Sequence, residues 1–237
     1  METELATQAA TAAAADPSFL ESLALFMHEG GSFMWIILLV WAIGIAISLE
    51  KIKSLLSYDV DGNSLMNLVK KHVLLNDVAE AIKACSNTNA LLPLVLRSGL
   101  KRANQSKEQI QDAVEASMLE VVPKVEKRMN YLGLLANIST LCGLLGTIYG
   151  LIQSFAAVAT ADPASKAKLL ALGISKAMNT TAAGLIAAIS LMIIHSILTS
   201  KGEKILNEIE EYSVKLIDLL GTKKNYKTDQ DETQAAS

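Results

Sequence analysis

The chain has 237 residues, 51% of them hydrophobic, a mean hydropathy of +0.34 and a formal net charge of −3. It is too apolar for an ordinary soluble domain of this size, and too nearly neutral for bulk electrostatics to argue for nucleic acid or an acidic substrate. Two distant cysteines, Cys85 and Cys142, and three histidines build neither a disulfide framework nor a metal cluster, so neither a metal nor a cofactor is expected.

Residues 1–31 hold five acids and no Lys or Arg. The opening METELATQAATAAAAD lacks the basic region of a cleavable signal, so it is expected to remain in the mature chain. Pro17 to His28 fits a short amphipathic helix ended by Gly30 and Gly31. Residues 32–49, SFMWIILLVWAIGIAISL, are eighteen uncharged residues and form the first predicted span, with Trp35 at an interface.

The polar segment 50–130 carries twelve Lys/Arg and ten Asp/Glu. Set against the N-terminus without basic residues, this bias predicts the N-terminus outside and the segment, with Cys85, in the cytoplasm. It reads as helical in pieces: Asp77 to Ala84, Ala90 to Ala103, and a longer helix from Ser106 whose stripe is Ile110, Val114, Met118, Val121, Val125 and Met129. Ser106 and Gln109 have the spacing of a capping box, and Pro123 is expected to kink or break the helix.

The second predicted span, 131–160, holds thirty residues without Asp, Glu, Lys, Arg or His. One face collects Ser139, Thr140, Gly143, Gly146, Thr147, Gly150, Ser154 and Ala157; the other carries Leu134, Ile138, Leu141, Leu145, Ile148, Tyr149 and Ile152. A short outer connector, 161–168, leads to a third span, 169–200. There Met178, Leu185, Ile186, Ile189, Met192 and Ile193 oppose Lys176, Asn179, Thr180, Ala183, Gly184, Ala187 and Ser190, with Thr181 at the boundary. Small faces of this kind let helix backbones approach closely, which drives packing where lipid removes the hydrophobic effect. A lone monomer is expected to leave them against lipid, so they point to an oligomer. Residues 201–221 continue as a cytoplasmic helix with a heptad seam, Ile205, Ile209, Tyr212, Leu216 and Leu219, set against the helix before Asn130. The tail, 222–237, is polar and expected to be disordered. The architecture is thus an all-α membrane protein with three transmembrane helices, the second and third extended into a cytoplasmic helical bundle.

No enzyme motif is present. The glycines of GLLGTIYG lie inside a membrane helix, where a nucleotide loop has no place. The runs GLLGTIYGLIQSF and GISKAMNTTAAGLIAAIS instead resemble the ExbB/TolQ/MotA family of ion-driven motor subunits, in its ExbB/TolQ branch. Glu50-Lys51 closing the first span and ALLPLVLRSGL support the resemblance, which covers about residues 30–220. It implies a homo-pentamer in a bacterial inner membrane, N-terminus periplasmic, around two helices of an ExbD/TolR-like single-span partner. Ion flow past that partner's membrane acid would drive rotation and do work across the envelope. The residues agree in part: none of the three spans contains a carboxylate, so a titrating acid must come from elsewhere.

Thr147 and Thr181 match the family's channel-lining hydroxyls; spacing alone favours their bonding to backbone or packing, and the motif match turns the reading to function. Thr140, Thr180, Asn179 and Ser190 extend the polar lining, and the added hydroxyls keep sodium open beside the proton. Gly143, Gly146, Gly150 and Gly184 read as packing residues. The family's membrane Glu is replaced by Lys176, either a fixed charge at the outer mouth or a snorkelling side chain, and its prolines by Thr140 and Ser190. The alternatives are a non-conducting structural scaffold and a substrate transporter, the latter disfavoured because the spans show no inverted repeat or broken helix.

Overall fold

The computed structural model describes residues 26–27, 30–86 and 90–235, with side chains to Thr222. The predicted N-terminal helix over Pro17 to His28 lies almost wholly outside the described residues. Among the described residues, seven helices follow in order: α1 Ser32–Tyr58, α2 Gly62–Leu74, α3 Val78–Ala84, α4 Leu91–Leu100, α5 Lys107–Glu126, α6 Met129–Ala159 and α7 Pro163–Ala235. The described residues contain no strand. Three apolar spans, in α1, α6 and α7, are long enough to cross a membrane.

The chain divides into two compact units. One comprises Met1–Gly44 and Leu134–Leu191, the other Ile45–Gly133 and Met192–Ser237.

In the first unit, α6 and α7 pack antiparallel through their small faces. Gly143, Gly146, Gly150, Thr180 and Gly184 are buried along one seam. A Cβ on Gly184 would lie 2.8 Å from Gly143 Cα and 2.7 Å from the Ser139 carbonyl oxygen, so only hydrogen fits between these backbones. Gly150 faces Ala177 in the same way, 3.1 Å from its Cβ to that of the alanine. This corrects the argument for an oligomer: the small faces are satisfied within one chain and do not by themselves require further copies. The bulky faces, including Leu141, Leu145, Ile148 and Ile152 of α6 and Ile186, Ile189 and Ile193 of α7, are exposed.

The second unit has an ordinary aliphatic core. Leu96, Leu100, Ile110, Val114, Leu132, Ile209 and Leu216 are all at most 1% exposed. The heptad seam of α7 is buried as its spacing predicts, except for half-buried Leu219, and it runs antiparallel to α5. Gly202 lies under Val125 and Met129, and sixteen residues later Asp218 pairs with Lys107 at 3.3 Å. The capping box is present, with the Ser106 hydroxyl accepting from the Gln109 amide at 3.3 Å and the Gln109 side chain accepting in return from the Ser106 amide at 3.2 Å. Asp61 caps α2, and the Ser64 hydroxyl bonded to it, with the amides of Ser64 and Asn63, holds its carboxyl below the usual range.

Three expectations change. Pro123 stays inside α5, and the break falls at Lys127–Arg128, where Arg128 has φ 68; a proline forfeits one bond to the preceding turn, whereas a left-handed residue ends the ladder. Helix α7 opens at Pro163, suited to a first turn, and so takes in most of the stretch 161–168. Its backbone also stays helical to Ala235, through the tail whose composition suggests disorder.

Candidate ion path

The hydroxyl-bearing residues predicted to line an ion path fall into three places within the first unit. Thr180 lies in the α6–α7 seam, 2% exposed, its hydroxyl donating to the Ala177 carbonyl at 2.7 Å. A Cβ at Gly146 would come within 2.7 Å of that hydroxyl oxygen, so Gly146 makes the room Thr180 occupies.

Ser190 and Lys176 turn toward α1. The indole N–H of Trp41 donates to the Ser190 hydroxyl oxygen at 2.8 Å, and the Ser190 hydroxyl donates to the Ala187 carbonyl at 2.8 Å. Asn179, eleven residues before Ser190 and so about three helical turns away, shares that side of α7. The Lys176 ammonium donates to the Gln153 side-chain oxygen at 3.4 Å and lies beside Gly31, whose φ of +74 starts α1. Gly44 fits under Leu191, and the Phe33 ring meets that of Tyr149 at a tilt of 55°, with centroids 5.3 Å apart.

Thr147 and Thr181 occupy the opposite side. Tyr149, which takes the α1 ring, is two residues past Thr147 and thus about 200° around α6; Ser190 is nine residues past Thr181 and about 180° around α7. Both threonines are half-buried, and Thr140, seven residues before Thr147 on the same side, is exposed. The Thr181 hydroxyl donates across the seam to the Gly143 carbonyl at 3.1 Å, Thr147 to the Leu144 carbonyl at 2.5 Å, and Thr140 to the Ala136 carbonyl at 3.3 Å. Gly146 faces Thr180, so Thr147 and Thr181 stand at nearly one depth. Each hydroxyl spends its proton on backbone and keeps acceptor capacity on oxygen. These oxygens can receive hydrogen bonds from water or hydronium, or ligate a hard cation.

The predicted site residues therefore do not form one cluster. Sequence reasoning also missed Trp41, Gln153 and Gly31, which hold Ser190 and Lys176; their partners lie 149, 23 and 145 residues away, beyond any local pattern. Among the described residues, no group of three metal-ligating side chains forms.

Three apolar spans and an all-helical fold define a multi-pass membrane protein. Residues 87–211 match the MotA/TolQ/ExbB proton channel family, and the chain belongs to it. It is 24% identical over 195 residues to a biopolymer transport protein ExbB homologue of Methanothermobacter thermautotrophicus, covering 81% of this chain and 68% of the relative. With biopolymer transport protein exbB1 of Vibrio cholerae the identity is 28%, covering 72% of this chain and 76% of the relative. With the Tol-Pal system protein TolQ of Haemophilus influenzae it is 31%, covering 42% and 41%. The relatives lie in the ExbB/TolQ branch, as the motifs of the second and third spans suggest.

Proposed function

We propose that the chain is the channel-forming subunit of an ion-motive-force-driven motor in a bacterial inner membrane. It assembles as a homo-pentamer around the helices of an ExbD/TolR-like partner, N-terminus in the periplasm, and couples proton flow to work across the envelope. The observation that carries this reading is the side of the α6–α7 pair away from α1. There Thr140, Thr147 and Thr181 present acceptor oxygens on spans that contain no carboxylate. Hydroxyl oxygens can pass an ion along but cannot store its charge. The acid that does so sits on the partner helix, charged while it faces these hydroxyls and neutralised when it faces apolar surface. Each protonation thereby changes which face of the channel the helix prefers, and that alternation becomes rotation. Lys176, on the α1 side, keeps a positive charge out of the path itself.

A non-conducting scaffold is the second reading, favoured by the backbone bonds these same threonines make. Ion flux in vesicles containing chain and partner, measured alongside their co-purification, separates the two. The Thr147→Val, Thr181→Val pair nearly keeps shape while deleting both hydroxyls, so the partner should co-purify as before and most of the flux should vanish. Undiminished flux in the double variant would reduce both residues to packing.

A further inference from the structure

A second polar site lies where the spans meet the polar segment, wholly within the second unit. Glu50 and Lys51 directly follow Leu49, the last uncharged residue of the first span, and Arg128 precedes the second span by three residues. Together with Ser54, Lys124 and Lys127 they line a cavity of about 240 Å³. A water molecule's share of liquid is about 30 Å³, so the space corresponds to roughly eight waters, enough for a phosphate with its glycerol.

Four cations line this cavity against the single carboxylate of Glu50, a balance of 4 − 1 = +3. Glu50 is engaged by Arg128. Lys124 and Lys127 have no carboxylate partner among the described residues. Lys51 is 5% exposed, and its ammonium donates to the Lys124 carbonyl at 3.2 Å. An ammonium has three protons to donate, and a buried charge is costly unless it is paired. Arg128 holds φ 68, a left-handed conformation that side chains other than glycine and asparagine seldom adopt; such outliers persist where the surroundings impose them.

We infer that this cavity binds the phosphate of an anionic membrane lipid. The shared chemistry is a phosphate ester anion; the site's level at the ends of two spans favours a lipid head group over a soluble phosphate, since basic pockets at that depth meet head groups directly. Electrostatics agree. Burial pushes the Lys51 ammonium below the usual lysine range, Arg128 and Lys127 push it further, and only Glu50 opposes them. An anion seated in the cavity acts in the same direction as Glu50.

Native mass spectrometry of the full chain, titrated with phosphatidylglycerol and separately with phosphatidylcholine, tests this. The exposed pair Lys124→Gln, Lys127→Gln leaves the core untouched, and helicity by circular dichroism checks its fold. At about 1 kcal/mol per basic residue, its affinity for phosphatidylglycerol should fall about thirtyfold. Lys51→Met should weaken binding as well, and the nearby exposed Lys53→Gln should not. Unchanged affinity in the double variant, an equal loss in Lys53→Gln, or equal retention of phosphatidylcholine would overturn the site. Binding of free glycerol phosphate as tightly as the lipid would assign the cavity to a soluble phosphate and overturn the lipid source.

Discussion

The two units are built on opposite rules by one chain. In the unit holding Leu134–Leu191, the seam between α6 and α7 buries small residues, Gly143, Gly146, Gly150, Ala177 and Gly184, while the large side chains of the bulky faces are exposed. In the unit holding Ile45–Gly133, leucines, isoleucines and valines fill the interior while charges other than Lys51, and the helix caps, face outward. Water explains the second arrangement, since burying a leucine removes apolar area worth about 25 cal/mol per Å². Lipid supplies no such term. Close backbone contact, which small residues permit, holds the membrane helices instead. The same residue type should therefore matter by different amounts in the two regions.

The largest contrast comes from one substitution made twice. Leu96→Ala opens a cavity in the aliphatic core and should cost about 2–5 kcal/mol in chemical denaturation followed by circular dichroism. Leu145→Ala removes a side chain that is 51% exposed on the bulky face of α6 and should cost under about 0.5 kcal/mol. A much larger loss at Leu145 would show that protein, not lipid, covers that face. The complementary change is Gly184→Ala. One methyl group must displace the Ser139 carbonyl and the Gly143 backbone, neither of which can rotate away, so about 1–3 kcal/mol should be lost in detergent unfolding. Tolerance of alanine there would mean that the two helices are less tightly apposed.

Periodicity made the spans, their two-faced character, the capping box and the heptad seam of α7 legible. It reports which residues share a face, not what that face meets. The small faces of α6 and α7 thus pointed to other copies, although each is the other's partner. For the same reason, Ser190 and Lys176 grouped with Thr147 by composition, whereas Trp41 and Gly31 draw them to the side of α1. Helix α2 escaped notice although Asp61 caps it and Met66, Val69 and Val73 keep helical spacing, because thirteen residues carry only those three buried side chains beyond Gly62. The break at Arg128 had no signal at all, since arginine is an ordinary helix former and Pro123 is the obvious breaker nearby.

The last contrast concerns a single thiol of the aliphatic unit. Cys85 is 3% exposed, and burial pushes its thiol up to about 11, with the nearby Arg97 opposing only in part. The thiolate is the nucleophile, so folded Cys85 is doubly protected, by access and by protonation. In a Cys142→Ser background, iodoacetamide at pH 8 should leave Cys85 unmodified while the unfolded chain reacts fully. Stability carries the same signature. The unfolded thiol ionises near 9.0 and the folded one near 11, so between those values the folded state holds the extra proton and stability falls as pH rises. The loss is on the order of 2 kcal/mol between pH 9 and pH 11, and it should be absent in Cys85→Ala. Cys85 consequently cannot report membrane orientation, because an impermeant reagent fails to reach it from either side. Asn67→Cys, exposed on α2, serves in its place. Its silence in intact spheroplasts and labelling after lysis would place the aliphatic unit in the cytoplasm, and alkylation of native Cys85 at the rate of that exposed thiol would show the core around it to be open.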